Sequence, residues 1–413
     1  MIPGNGSTVR RLVVGMKRRD LLGLGGAALL AACTSPRPVT KAQRGELLAV
    51  SLTDGMAVLD SGTAGRVAGG ALLTGNRLVG VDPDGRVVVR DAATGAVVTA
   101  AAVRGGMRLA AVSSDAGLVA LVDGNPAGRT ETTIVVAGAT GERHRLTLPG
   151  FVQPEAFSSS GTELFVLDML PPERPDRYRV RVLDLAAGQL RALNLPGENA
   201  GIKVLVPQGA EEEMRGEGRQ AVFDPRRERL FTLYSHQPDH QHVRDLINQG
   251  ARDGKPDVHA FVHTLSLRDG WAVCVDLPGN FGTGPVEGLT LAQSAEEVWV
   301  ADAGKGALVV VQADALAVTQ ELTFEPAAGR AALAGGVSEV YLAAGQRVLV
   351  FARDTKIHIA TWKLPADARG IAVSSRYVYV GQPDAVLRLD RGSGAVTGIT
   401  GVTGLSGVER VIT

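Results

Sequence analysis

Cysteine is nearly absent from this chain of 413 residues, which has only Cys33 and Cys274. Two cysteines cannot support a disulfide framework. Aromatic residues make up 4% of the chain, so a core must be packed mainly with aliphatic side chains. Neither sign of charge is in excess, because 43 Lys and Arg face 43 Asp and Glu. That balance speaks against a nucleic-acid binder, which needs a basic surplus to meet phosphates. No G-x-S-x-G elbow is present, and no Walker A or G-x-G-x-x-G loop stands between a strand and a helix. The apolar run Leu21–Ala32 has twelve residues, short of the roughly 20 that cross a bilayer. What the chain does have is 45% apolar residues and 52 glycines. That is enough to bury a core and excludes a disordered chain.

The first thirty-three residues read as an address. Met16 is a better start than Met1, because Lys17, Arg18 and Arg19 follow it and stand just ahead of the apolar run, with Asp20 between. A positive segment, a short apolar stretch and small residues form a signal peptide. It ends in Leu30-Ala31-Ala32-Cys33, which resembles a bacterial lipobox. The resemblance implies cleavage before Cys33 and a fatty acid on its thiol. "RRDLL" at Arg18–Leu22 resembles a twin-arginine export signal, which implies folding before export. Residues 34–45 are polar with two prolines and read as a short tether. The expected location is the outer face of the cytoplasmic membrane.

From residue 46 to 413 one pattern repeats at intervals of about 40 residues, the spacing of propeller blades. Eight β-hairpins are legible. They begin at "LLAVSL" (47–52), "RLVGVD" (77–82), "LVALVD" (118–123), "ELFVLD" (163–168), "RLFTLY" (229–234), "EVWVAD" (297–302), "EVYLAA" (339–344) and "YVYVGQ" (377–382). Turn residues Gly85, Gly95 and Gly141 stand where a positive φ is needed. Weaker strands follow, often ending near Pro149, Pro196, Pro278 or Pro365, as outer edge strands do. Small apolar strands such as "LAAVSS" (109–114) precede most hairpins and suit the crowded inner position.

Four strands per unit, radially repeated, predict an all-β single β-propeller. The first hairpin lacks an inner strand, and the C-terminal "GVERVIT" (407–413) lacks a hairpin. Pairing the two closes the ring with eight blades. Seven is the alternative, if Ser61–Asn76 is too short for an outer and an inner strand. "DGRVVVRDAATGAVV" (84–98) resembles a PQQ-like repeat and "RGIAVSSRYVYVG" (369–381) a YVTN-like repeat. "HAFVHTLSLRDGWAVCVDLP" (259–278) resembles actinobacterial propeller lipoproteins. PQQ enzymes carry a tryptophan platform and a metal site. Trp271, Trp299 and Trp362 fall on second or outer strands, so no such platform is expected.

Aligning the inner strands puts Gly70, Arg108, Glu155, Gln220, Glu287, Arg330, Arg369 and Glu409 at one channel mouth. Six of these are charged. Arginine binds carboxylate or phosphate in bidentate fashion, so the ring is a candidate site for a small anionic or zwitterionic ligand. The competing reading is that Arg and Glu pair with one another and seal a wet channel. A second candidate is the insertion 235–258, with His236, Asp239, His240 and His242, and with His259 and His263 beside it. Imidazole and carboxylate are the ligands for a divalent metal such as Zn or Cu. The spacing matches no zinc signature, and a lid or partner-binding role is the other reading. The acidic run Glu211–Glu213 reads as a solvated loop, and Cys274 as a buried inert thiol.

The expectation is therefore an exported, lipid-anchored propeller acting as a binding or scaffold protein at the cell envelope. It would meet the membrane through its lipid, hold an envelope protein or a small anionic ligand, and bind no nucleic acid. The alternative is a metal-assisted hydrolase or lactonase-like envelope enzyme using the ring or the histidines.

Overall fold

The strands of the first hairpin show how each blade forms. Leu48, Ala49 and Val50 of β1 (Leu47–Leu52) are buried in succession, as are Ala57, Val58 and Leu59 of β2 (Gly55–Asp60). A strand covered on both faces has no solvent side and reads as a continuous apolar run. The outer strand β3 (Arg66–Gly70) is more exposed and interrupted by glycine. A computed structural model describes residues 45–124, 130–196, 211, 213, 214, 217–235, 260–278 and 281–413. Among them, thirty-two strands in chain order, β1 to β32, form eight four-stranded antiparallel sheets within one unit, Ala42–Thr413. The protein is an eight-bladed β-propeller.

Seven blades are made of four consecutive strands. Their inner strands are β4 (Leu72–Thr74), β8 (Met107–Val112), β12 (Phe151–Phe157), β16 (Glu217–Asp224), β20 (Leu289–Ser294), β24 (Ala331–Gly335) and β28 (Ile371–Val373). Blade one takes its inner strand from the other end of the chain. β32 (Leu405–Ile412) pairs with β1 from Leu47↔Ile412 to Leu52↔Leu405. The short stretch Ser61–Asn76 holds both β3 and β4 with Ala71 alone between them, which settles the blade count at eight. All eight hairpins occur as expected, and Gly85, Gly95 and Gly141 have φ of 77°, 74° and 116°. Pro171 and the residues after it form the tip of a longer hairpin, β13 (Glu163–Leu170) and β14 (Arg177–Asp184).

The core is divided into eight wedges, each between two consecutive blades. Ala49, Val58 and Ala68 of blade one meet Leu78 and Ala92 of blade two. Tyr379 and Val386 of blade eight meet Leu48, Val50, Leu405 and Val408 of blade one. Burying one Val or Leu side chain contributes about 1.5–3 kcal/mol, so a wedge of ten such residues outweighs any single polar contact. Aliphatic side chains fill most of the wedges, which is how a chain poor in aromatics sustains this fold.

The Asx-type turn after the third strand also recurs. The Asp91 carboxylate accepts N–H bonds from Ala93 (3.2 Å) and Thr94 (3.0 Å). Asp184 does the same for Ala186 (2.9 Å) and Ala187 (2.8 Å), and Asp390 for Gly392 (3.2 Å) and Ser393 (2.9 Å).

Blade eight meets the closing strand backbone to backbone. Arg369 N–H donates to the Gly381 carbonyl (2.7 Å), and the Arg369 carbonyl accepts from Val408 N–H (2.9 Å). A Cβ at Gly381 would collide with the Arg369 carbonyl oxygen, so only glycine fits there. Gly381→Ala is expected to lower stability by on the order of 2–4 kcal/mol, measured by denaturant unfolding. An unchanged midpoint would show that this approach is not tight.

Candidate functional site

The first strands of successive blades lie side by side around the channel without pairing along their length, and polar side chains bridge them. Gln220 of β16 accepts through Oε1 from the Thr290 hydroxyl (2.9 Å) and from Leu291 N–H (3.1 Å) in β20. Thr290 Oγ1 accepts in turn from Leu333 N–H in β24 (3.2 Å). One buried hydroxyl thus links blades five, six and seven. Sequence reasoning passed over Thr290. Its only signal is a hydroxyl between two leucines in the buried run "LTLAQS".

Beside this link is a cavity of about 250 Å³, lined by inner-strand residues of blades five to eight and of the closing strand. Three of the predicted mouth residues, Gln220, Arg330 and Glu409, line it together. Leu289, Leu333, Ile371 and Val408 supply apolar wall, while Gly370 and Gly407 leave backbone bare. Arg369 stands next to Gly370, and its Nη1 donates to the Leu405 carbonyl (2.9 Å). Arg330 Nη1 donates to the Ser406 carbonyl. Glu409 Oε1 accepts from the Ser51 hydroxyl (2.6 Å). The start of the closing strand therefore holds both guanidinium groups.

Among the described residues, none of the six charged mouth positions forms an ion pair with another. The reading in which Arg and Glu seal the channel by pairing does not hold. Arg410 adds one more cation on the closing strand. It donates to the Gly75 carbonyl, and burial holds its guanidinium below the usual range.

The mouth residues are staggered rather than level. Arg330 and Glu287 precede the first paired residues of their strands, Ala331 and Leu289. Arg108 pairs with Val122, and Gln220 with Leu233. Glu155 and Glu409 lie further in. Each is the extra residue of a bulge, Glu155 between the partners of Val166 and Phe165, Glu409 between those of Val50 and Ala49. Gly70 is not on an inner strand at all. It ends β3, opposite Met56. Arg108, Glu155 and Glu287 are not among the residues lining the 250 Å³ cavity.

The histidine candidates divide sharply. His236, Asp239, His240, His242 and His259 lie outside the described residues. His263 is buried on β18 (Ala260–Ser266), paired with Thr232 on one side and Cys274 on the other. Its ring meets Tyr234 edge-on at 6.0 Å. Among the described residues no group of three His, Cys, Asp or Glu could hold a metal. The three tryptophans sit at the start of β19 (Ala272–Asp276), on β21 (Glu297–Asp302) and on β27 (His358–Lys363). None of the three is on an inner strand, although Trp299 pairs with Ala292 of β20.

Glu211 and Glu213, the described members of the acidic run, are ion-paired rather than solvated. Glu211 Oε1 meets Arg181 Nε at 3.0 Å, and Glu213 Oε2 meets Arg177 Nε at 2.9 Å while Oε1 pairs with Arg179. Met214 exchanges both backbone bonds with Tyr178. Arg177, Arg179 and Arg181 alternate on one face of β14 and offer a comb of cations that the run answers.

Glu155 carries an electrostatic oddity. Its Oε2 is buried and has no hydrogen-bond partner, and burial pushes the carboxyl up to about 7. Tyr234 is pushed up by its own burial and then by the Glu155 charge. The folded state holds the Glu155 proton more tightly than the unfolded chain does. Stability is therefore lost as pH rises from about 4.5 to about 7. Glu155→Gln is expected to remove that loss, raising stability at pH 8 by up to about 3 kcal/mol and leaving it little changed at pH 4. Urea unfolding at both pH values measures it. Equal effects at both would show that the carboxyl does not titrate in this range.

No protein-family model matches the chain, and no curated protein matches it in sequence at a significant level. Solved structures match it in fold. The dihydro-heme d1 dehydrogenase NirN in complex with DHE is 15% identical, with a TM-score of 0.52, over 91% of this chain and 77% of that one. Citrobacter koseri AztD is 12% identical, with a TM-score of 0.47, over 88% of this chain and 96% of that one. At such identity the likeness to NirN is one of fold alone, and the fold in common is the β-propeller.

Proposed function

We propose that the protein is an exported, lipid-anchored propeller that binds a small molecule in its central channel at the cell envelope. The observation that carries this reading is the 250 Å³ cavity bordered by Arg330 and Glu409, neither of which has an ion-pair partner among the described residues. Ordinary ligand pockets span about 300–1,000 Å³, so the volume suits a compact molecule rather than a large cofactor. Arg330 and Glu409 are exposed and have no counter-ion in the protein, so a ligand that supplies one adds an ion pair of modest strength. Arg330 and Arg369 are already held by carbonyls of the closing strand, so little side-chain entropy remains to be lost on binding. The signal segment and Cys33 support placement outside the cell.

Two measurements test the reading. A thermal-shift screen of small metabolites should find molecules that raise Tm, with about 2.7 kcal/mol of stabilisation at a hundredfold excess over Kd. Arg330→Ala should abolish the shift while keeping the unliganded Tm. Hits that stabilise the variant equally would remove the channel from consideration. For the anchor, Cys33→Ala should move the protein from the membrane fraction to the soluble fraction, and an unchanged distribution would count against lipidation.

A further inference from the structure

We infer that the channel ligand is a small zwitterion, a molecule joining a carboxylate to an ammonium group; this rests on the channel-binding reading above. Both signs of charge border one small cavity, and each is tied to something neutral. Arg330 gives one donor to the Ser406 carbonyl, and Arg369 gives one to the Leu405 carbonyl (2.9 Å). A guanidinium has five donors, so each keeps others for an anion. Glu409 takes one hydroxyl, from Ser51 at 2.6 Å, and keeps lone pairs for a cation.

Opposite charges bordering one cavity normally collapse onto each other. Here they do not, because carbonyls and a hydroxyl of two paired strands hold them apart. The bulge at Glu409 fixes the carboxylate, since it sets this residue out of register with Ala49 and Val50. A ligand with one charge would satisfy one side and leave the other facing a like charge or nothing. A dianion would meet Glu409, and a diamine would meet Arg330. A ligand carrying both signs matches both walls, and the apolar wall of Leu289, Leu333 and Ile371 suits a short methylene linker between them.

The test uses the full mature chain and a matched series of probes. Glycine, β-alanine, 4-aminobutyrate and 5-aminovalerate vary the charge separation. Butyrate and butylamine each lack one charge of 4-aminobutyrate. Titration calorimetry is expected to show one amino acid of the series binding at least tenfold more tightly than butyrate and butylamine. Glu409→Gln should weaken that amino acid about tenfold and leave butyrate unchanged. Arg330→Ala should weaken the amino acid and butyrate alike. Butyrate binding as tightly as the best amino acid, or indifference to Glu409→Gln, would overturn the zwitterion while leaving an anion-binding channel intact. Failure of all six probes would also overturn it. Metabolite hits that depend on Arg330 would then keep the channel reading, and their absence would end both. Circular dichroism and the unliganded Tm of each variant exclude misfolding as the cause.

Discussion

A ring of sheets persists only if its two ends join, and here the join is the antiparallel pairing of β32 with β1. Without it, blade one would expose an unpaired inner edge and blade eight an uncovered apolar face, both sites for aggregation. The pairing spans nearly the whole sequence, so its loop-closure entropy is among the largest in the molecule. It is offset by the wedge between blades eight and one, where Leu405 and Val408 pack beside Tyr379 and Leu48. The candidate site depends on the same strand. Leu405 and Ser406 accept from its two arginines, and Glu409 is one of its own residues. Closure and site assembly are thus one event.

The electrostatics of the channel follow from this construction. Inner strands of neighbouring blades make few backbone bonds to one another, so side chains such as Thr290 and Gln220 take over the role of a ladder. Charges in such a channel are neither fully solvated nor paired. The acid–base comb between blade four and Glu211 and Glu213 is the opposite case. There Arg177, Arg179 and Arg181 meet carboxylates at hydrogen-bond distance. The same residue types therefore serve structure at the rim and remain available at the axis.

Particular residues show what was legible in advance. The hairpins could be read because each depends on a local turn and a local apolar run, as with Asp82–Gly85 between β5 (Arg77–Val81) and β6 (Arg86–Asp91). The composite blade could be read because an orphan hairpin and an orphan strand stood at opposite ends. The level of each mouth residue could not. Bulges insert an extra residue into the inner strands of blades one, three, four and five but not into those of blades two, six, seven and eight. An ungapped alignment places Glu155 and Arg330 together, whereas the pairing puts them at different depths. Gly70 was misplaced for a related reason, because β3 and β4 are separated by a single residue.

The amino-acid sequence alone determined the strand content, the four-stranded repeating unit, a ring of seven or eight blades and most of the residues from which a channel could be lined. Those properties arise from short apolar runs and turn chemistry within about forty residues. Tertiary structure alone decided which of those residues share a cavity, that their charges do not pair, and that Glu211 and Glu213 dock on β14. These outcomes depend on strands far apart in sequence and on their register to within one residue, and no local pattern carries that information.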